Sequence, residues 1–330
     1  MSTSDRKLRW GVLGYARIAR VSVIPAIRNS SNSEFYALAS RDASKLEACR
    51  GTGPVPKAYT SYEELIRDPQ VDAIYIPLPN SMHREYTLKA AAQGKHVLCE
   101  KPMGLSAAEC REMIVACETH RVTLMEAFMY RYTPRTLKVQ EILRSGVLGE
   151  IRQVNAFFRF TLPKPSIKLQ PELGGGCLYD VGCYPVNFVG MVADEIAGGR
   201  PAAAGLPEKL AADCVYEGGV DMNFSALLRY PTGMMATIEA GFSSHKRIYS
   251  EIIGTKGTLE VPDTFIGDGA PLALLIGDER QEIPLPSCDR YQLEIEDFAD
   301  AVLHGRTPKF SLLETVRNAE VIDRLLAAVR

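Results

Sequence analysis

Lys95-His96-Val97-Leu98-Cys99-Glu100-Lys101-Pro102 is a short apolar run that closes on a charged pair set against a proline. His96 to Cys99 reads as a strand buried on both faces, as strands of a parallel sheet are. Gly94 just before it closes the preceding helix. Glu100 and Lys101 then lie at the strand's carboxyl edge. Ligands of open α/β sheets bind outside the carboxyl ends of the strands, so a lysine there is placed to meet a bound molecule. Pro102 holds the lysine's backbone extended, and the bond between the two is a candidate for a cis peptide. An ordinary surface ion pair at a strand end is the competing reading. The rest of the chain decides between them.

Toward the N-terminus, Leu8 to Gly14 is an apolar strand, and Gly14-Tyr15-Ala16-Arg17-Ile18-Ala19 turns it into a helical pattern that reaches Arg28. Where a dinucleotide fingerprint has G-x-G-x-x-G, this chain has G-x-A-x-x-A and keeps only the first turn-making glycine. A plain βα turn is the competing reading. Pro25 predicts a kink or an early end of that helix, because a mid-helix proline costs about 3 kcal/mol.

Glu34 to Ser40 is a second strand, which sets Ser40-Arg41-Asp42 where the adenosine ribose of a dinucleotide would lie. An acid ending this strand accepts from a free 2′-hydroxyl, whereas Ser40 and Arg41 are donors and suit a 2′-phosphate. A guanidinium grips phosphate through a bidentate fork, and Lys45 in the next helix adds charge. The competing reading is a solvated loop. Asp42 caps the following helix in either case.

Thr60-x-x-Glu63 or Ser61-x-x-Glu64 opens a short helix, Asp72 to Ile76 is a strand, and Met82 to Gln93 is a helix. The intervening loop, Pro77-Leu78-Pro79-Asn80 with His83 just after it, faces the cofactor side. For His83, a backbone-satisfied histidine at a helix start stands beside a ligand contact. Ser106-x-x-Glu109 caps a helix to His120, and Thr123 to Ala127 is a sixth strand. Strands alternating with helices in this way predict a doubly wound parallel sheet over residues 1–127.

From residue 128 the pattern changes. Thr133 to Arg144 reads as a helix, Ile151 to Phe160 as a strand, and Gly174-Gly175-Gly176 opens a helix toward Val192. Met222 to Tyr230, Met234 to Phe242, Arg247 to Ile253 and Thr258 to Val261 read as strands, and the short turns between them predict antiparallel hairpins. Gly198-Gly199-Arg200-Pro201 is expected to be a mobile loop. Helices over Tyr291 to His304 and Ser311 to Ala328 end the chain, the second opened by the capping box Ser311-x-x-Glu314. The final helix is a candidate to pack back on the first domain. The expected second domain, 128–330, is therefore α+β with a large, mainly antiparallel sheet.

A chain of 330 residues with a formal net charge of -2 has room for two cores and carries no basic footprint for nucleic acid. Met1 to Arg9 has no apolar signal core, and no run reaches the roughly 20 apolar residues that span a bilayer. The expectation is a cytoplasmic protein. Its eight cysteines form no Cys-x-x-Cys pair and read as reduced core thiols, with no metal site.

Asp180 and Tyr184 are four residues apart in the glycine-led helix, so both fall on one face. A carboxylate accepts from a substrate hydroxyl, and a phenol gives a proton to an oxygen. The competing reading is a buried Tyr–Asp pair in a core. Tyr179 points away from that face and reads as structural. Arg159, Lys164 and Lys168 are unassigned candidates for substrate contact.

Gly11 to Ala19, Glu100-Lys101-Pro102, and Gly174-Gly175-Gly176 with Asp180 and Tyr184 together resemble the glucose-fructose oxidoreductase / inositol dehydrogenase (Gfo/Idh/MocA) family over nearly the whole chain. The resemblance implies a Rossmann domain followed by a domain whose open sheet packs face to face in dimers. It implies that Lys101 is the catalytic lysine, that Asp180 orients substrate and that Tyr184 takes the acid/base position many members fill with histidine. A tyrosine there is similar to the glucose-fructose oxidoreductase and dihydrodiol dehydrogenase branches. Ser40-Arg41 is similar to the NADP-using members, and Glu100 falls beside the nicotinamide ribose. Ala16 departs from the usual second glycine.

The expected cofactor residues are Gly14, Tyr15, Ala16, Arg17, Ile18, Ser40, Arg41, Lys45, Pro77, Leu78, Asn80, His83, Glu100, Lys101 and Arg131. The expected activity is NADP-dependent hydride transfer at a hydroxyl or carbonyl carbon of a sugar or polyol. The alternatives are a dihydrodiol or other non-sugar alcohol dehydrogenase, and a silent dinucleotide-binding regulator. The expected assembly is a homodimer or larger through the strands from Met222 to Val261, whose apolar residues include Met234, Met235 and Ile238.

Overall fold

The computed structural model describes residues 6–55, 57–267 and 269–329, and residues 1–5 of the expected leaderless N-terminus lie outside them. The chain forms two compact units. One takes in the chain to Gly104, Ala108–Met129 and Asp289–Leu312; the other takes in Leu105–Ala107, Tyr130–Cys288 and the chain from Leu313.

The first unit holds a six-stranded parallel sheet of β1 (Leu8–Leu13), β2 (Ser33–Ala39), β3 (Lys57–Tyr59), β4 (Ala73–Ile76), β5 (His96–Glu100) and β6 (Leu124–Ala127), ordered 3-2-1-4-5-6. The order reverses between β1 and β4, which opens a crevice at their carboxyl ends. Within this sheet, β3 is the strand the sequence reading did not locate. It has three half-buried residues and no apolar run.

Helix α1 (Ile24–Asn29) is preceded by a π-helical turn over Ala19–Val23. The helical path therefore neither ends nor breaks at Pro25. Pro25 lacks an N–H and crowds the carbonyl four residues back, and the wider turn just before it accommodates both. Helix α2 (Ala43–Arg50) is capped by Asp42, and α3 (Tyr62–Arg67) by Ser61. Helix α4 (His83–Ala92) leads to β5, and α5 (Ala107–Thr119) leads to β6.

In the second unit, α6 (Pro134–Ser145) starts on a Thr133 cap with proline in its first turn and stops on a left-handed Gly146. Its sheet has eight strands: β7 (Ile151–Thr161), β8 (Lys209–Glu217), β9 (Val220–Arg229), β10 (Met235–Gly241), β11 (Ser243–Gly254), β12 (Gly257–Pro262), β13 (Leu272–Ile276) and β14 (Glu279–Ile283). Their order is 14-13-12-11-7-10-9-8. β9–β10 and β11–β12 are the expected hairpins. β10 and β11 are not a hairpin. β10 runs parallel to β7 up to the Gly241–Arg159 pair; the chain then rounds the end of β7 and returns antiparallel on its other side. A turn read from composition marks where a chain reverses, but it does not say which strand fills the gap.

Helix α7 (Cys183–Ile196) lies against β7 and β10, and α9 (Leu312–Ala328) meets it where Gly190 leaves room for Arg317. The Arg317 guanidinium donates to Gly190 O and Asp194. The Asp194 carboxylate also accepts from Ala202 N and Ala204 N, both at 3.0 Å. The loop after Gly198, expected to be mobile, is thus tied to a buried acid. Glu314 is 3% exposed, and its Oε1 accepts from Arg131 at 2.6 Å.

Helix α8 (Arg290–His304) packs on the first unit's sheet. Asp289 caps it, and it brings Phe298 against Trp10 with ring centroids 5.2 Å apart. Its buried Ile295, Phe298, Ala299 and Ala301 form the apolar stripe that covers the sheet. In the second sheet, Met234 and Ile238 are buried, and only Met235 of the three named residues is half-exposed. All eight cysteines are free thiols. Among the described residues no helix is long and apolar enough to cross a membrane, and no group of His, Cys, Asp and Glu could hold a metal.

Candidate functional site

In the first unit the site begins at the carboxyl end of β1. Gly14 has φ +90°, and a Cβ there would sit 3.2 Å from Leu78 Cδ2, so the turn after β1 lies close against the loop after β4. The Tyr15 ring is buried with its hydroxyl by Thr52 and Cys49, and burial raises its pKa. Ala16 and Ile18 are half-buried and Arg17 is exposed.

At the end of β2, Ser40 is 3% exposed, and its Oγ accepts from Asp42 N. The Asp42 carboxylate turns to Ser44, accepting from its N–H at 3.0 Å and its hydroxyl at 2.6 Å, and these bonds lower its pKa. Arg41 is exposed with its guanidinium over the Tyr62 ring, 5.5 Å from the centroid. Lys45 is exposed on α2.

Pro77 is buried, and Leu78 and Asn80 are half-buried. His83 is 0% exposed, with Nδ1 2.9 Å from Pro102 O and Nε2 2.9 Å from Leu78 O. Sequence reasoning counted it among the cofactor residues. Its two ring nitrogens face backbone carbonyls, so the ring lies between the loop after β4 and the bend after β5. Burial lowers its pKa.

The Lys101–Pro102 bond is cis. Past it, Met103 N donates to Glu126 Oε1 at 2.9 Å. Lys95, at the start of the same stretch, is buried and donates to Asp68 O and Val71 O at 2.7 and 2.8 Å. Glu100 accepts from the Tyr75 hydroxyl at 2.6 Å.

In the second unit, the three glycines serve the chain's own backbone. A Cβ on Gly175 would lie 2.6 Å from Lys168 O, and one on Gly176, whose φ is +117°, would lie 2.1 Å from Asp221 Oδ1. Asp221 is 3% exposed, and its Oδ2 accepts from Leu178 N at 2.6 Å and from the Cys177 thiol at 3.1 Å. It fixes the start of a π-helical turn, Leu178–Gly182, that carries Asp180. π-bulges of this kind occur often at functional sites.

Asp180 accepts from Lys168 Nζ at 2.7 Å. Tyr184 follows at the start of α7, packed against Phe158 at 5.4 Å, Phe265 at 5.5 Å and Tyr130 at 6.0 Å between ring centroids. Tyr179 donates to Leu105 O, the structural use expected of it. Arg131 lies in this unit. Its guanidinium donates to Asn187 and to Glu314, and its side chain is 12% exposed.

Of the unassigned cations, Lys168 pairs with Asp180, Arg159 with Glu239 and Lys164 with Glu217. The sequence reading missed Tyr75, Glu126 and Asp221. Each is an ordinary strand residue by pattern, and only the fold reveals its partner.

The family model described as the GFO/IDH/MocA oxidoreductase family with an NAD-binding Rossmann fold matches residues 8–128, and the GFO/IDH/MocA C-terminal domain matches residues 136–260. The chain is 38% identical over 324 residues to D-xylose 1-dehydrogenase (NADP(+)) 2 of Haloferax volcanii, covering 96% of each. It is 36% identical to the mouse trans-1,2-dihydrobenzene-1,2-diol dehydrogenase, covering 98% of this chain and 97% of the other. Among solved structures it is similar to KijD10, a 3-ketoreductase from Actinomadura kijaniata in complex with NADP and TDP-benzene. That match has a TM-score of 0.90, 28% identity and coverage of 98% of each chain.

Gly176→Ala is expected to cost about 1–3 kcal/mol, because φ +117° is a glycine conformation and the new methyl displaces Asp221. Chemical denaturation measures the loss. A loss below about 0.5 kcal/mol, the range of an unremarkable surface change, would contradict this account of the corner.

Proposed function

The chain belongs to the GFO/IDH/MocA oxidoreductase family, and from that premise we propose that it is a cytoplasmic NADP-dependent oxidoreductase acting on a sugar or polyol. The observation that carries the reading is the 38% identity, over 96% of both chains, to an NADP-dependent xylose dehydrogenase. The cofactor end of the first unit fits such a dinucleotide. Gly14 leaves room where a side chain would meet Leu78, Arg41 and Lys45 offer cations at the end of β2, and Asp42 is committed to Ser44. Bound NADP supplies the hydride chemistry. Gly14 to Ile18 would line its pyrophosphate side, Ser40, Arg41 and Lys45 its 2′-phosphate, and Pro77, Leu78, Asn80, Glu100 and Arg131 its nicotinamide half.

In this proposal Lys101 polarises the reacting oxygen and the Tyr184 phenol gives or takes the proton there. A phenol's pKa is ordinarily about 10, so a cation on the shared oxygen helps it act at neutral pH. Asp180, held by Lys168, orients a substrate hydroxyl. The open face of the second sheet is proposed to pair two copies of the chain. Retention of Lys101, Asp180 and Tyr184 together speaks against a silent regulator. The mouse relative supports a second reading, a dihydrodiol dehydrogenase on the same residues.

Three measurements test these assignments. With NADP, kcat/KM should be higher for an aldose or polyol in a panel than for trans-1,2-dihydrobenzene-1,2-diol; the reverse order selects the second reading. Arg41→Ala should cut the preference for NADPH over NADH by about 10- to 100-fold in binding titrations, the worth of one charged hydrogen bond. Wild-type preference for NADH would overturn the cofactor assignment. Lys101→Met and Tyr184→Phe should each slow single-turnover hydride transfer by about 10² to 10⁴ with cofactor affinity kept, and the double variant should be far from additive. A Tyr184→Phe rate equal to wild type from pH 6 to 9 would make that phenol structural.

A further inference from the structure

Helix α8 covers the sheet face that carries Trp10, Val12, Tyr75 and Glu100. One residue on it does nothing for the apolar packing. Glu294 is 1% exposed, and its Oε1 has no hydrogen-bond partner among the described residues. A buried, unpaired carboxylate is strongly disfavoured, and an orphaned polar atom in a folded protein calls for a reason.

The groups around Glu294 supply one. Tyr75 on β4 and Glu100 on β5 share the sheet face that α8 covers, and the charge of Glu100 acts on Glu294. From α8 itself come Asp297 and Tyr291, with Arg290 5.4 Å from the Tyr291 ring. Asp297 is committed elsewhere. It accepts from Arg306 at 2.8 Å and from Lys309 N at 2.9 Å. Glu100 accepts a short 2.6 Å bond from Tyr75, whose phenol burial raises well above its ordinary pKa, so Tyr75 stays a donor. Burial first, then the Glu100 charge, also raises Glu294 well above the carboxylate range. Two carboxyls in one poorly solvated place hold a single proton between them. The Tyr75 hydrogen bond favours charge on Glu100 and so leaves the proton on Glu294.

We propose that Glu294 is a positioning residue that carries the shared proton of a Glu100–Glu294 pair and so keeps Glu100 a single, Tyr75-held carboxylate beside Lys101. Glu100 ends β5 at the carboxyl edge of the sheet, where ligands of this fold bind. When Glu294 ionises as pH rises, its charge and that of Glu100 repel. Glu100 is then driven from its place, and the dinucleotide loosens. The last step rests on the function proposed above; the shared proton does not.

Three readouts separate the two. Infrared spectra of the cofactor-free protein at pH 7, wild type minus Glu294→Gln, should show the carbonyl stretch of one protonated carboxylic acid. Thermal unfolding should show the matching linkage. A raised folded pKa means wild type loses stability as pH rises above the ordinary carboxyl value of about 4.3, so the Tm advantage of Glu294→Gln grows from pH 5 upward. Glu294→Leu is the second variant, with the same expected signs.

NADPH titration should give equal Kd values for wild type and Glu294→Gln at every pH where the infrared band persists, and wild type at least threefold weaker where the band has gone. A missing infrared band, or parallel Tm profiles, overturns the shared proton. A band that is lost with rising pH while the Kd ratio stays flat, or a band that does not titrate at any pH the folded protein survives, overturns the positioning role. Failure of wild type to bind NADPH at any pH overturns that role together with the cofactor reading, while the infrared band still decides the proton.

Discussion

The chain after β5 must leave a fully buried strand and present a charged side chain within two residues. The bend at Lys101-Pro102-Met103 is where it does so. Pro102 has no N–H to satisfy, its carbonyl lies on the His83 ring, and the Met103 N–H lies on Glu126. Leaving either backbone group unpaired would cost about 1–3 kcal/mol, which is comparable to the effect of a whole core methyl group or more. The other ring nitrogen of His83 lies 2.9 Å from the Leu78 carbonyl, so the ring sits between the loop after β4 and the bend after β5. A neutral imidazole has a single N–H. With its pKa lowered by burial, His83 holds one of these carbonyls by a donated bond and faces the other with a bare nitrogen. The bend is therefore fixed by polar groups that the apolar core around them would otherwise exclude.

The second unit meets a similar demand by another route. There the chain must turn from an extended segment into the helix that carries Asp180, and it does so with glycine and a buried acid. Gly175 and Gly176 let the backbone of residues 168–170 and the Asp221 carboxylate approach closer than any side chain would allow. Asp221 then satisfies Leu178 N at the mouth of the π-turn, an N–H that the start of a helix leaves without a partner. Because Gly176 N donates to Lys168 O, the same corner sets the segment whose lysine pairs with Asp180. Removing the glycines would misplace the acid and its cation together.

The parallel sheet was legible because its strands are short apolar runs with helix caps between them, and Asp42, Ser61 and Thr133 cap the helices their spacing assigns. The cis bond at Pro102 follows from the residue pair alone as a candidate. Pairing order in the second sheet was not legible. β7 lies more than seventy residues before the β10 and β11 strands that flank it, and no local signal records that it separates them. The dual role of α8 escaped for a related reason. Its periodicity announces an apolar face but not which sheet it covers. Lys168 was visible only as one of several cations, because its meaning comes from a glycine corner that folds it back toward Asp180.

The charge arrangement at the cofactor edge follows from where the acids are spent. Of the carboxylates around the ends of β2, β5 and β6, Asp42 is held by Ser44, Glu100 by Tyr75 and Glu126 by Met103. Each accepts hydrogen bonds from a neighbour a few residues or one strand away. An acid left free at the end of β2 would accept from a ribose hydroxyl and repel a phosphate there. Asp42 is itself exposed, but its carboxylate is turned onto Ser44, and the exposed cations at that edge are Arg41 and Lys45. The Arg41–Tyr62 stacking is worth only about 0.5–1 kcal/mol at an exposed site, enough to orient the guanidinium and too little to stop a phosphate from drawing it away. In the cofactor assignment proposed above, preference for a phosphorylated dinucleotide would rest on the helix cap that occupies one carboxylate as well as on the arginine itself.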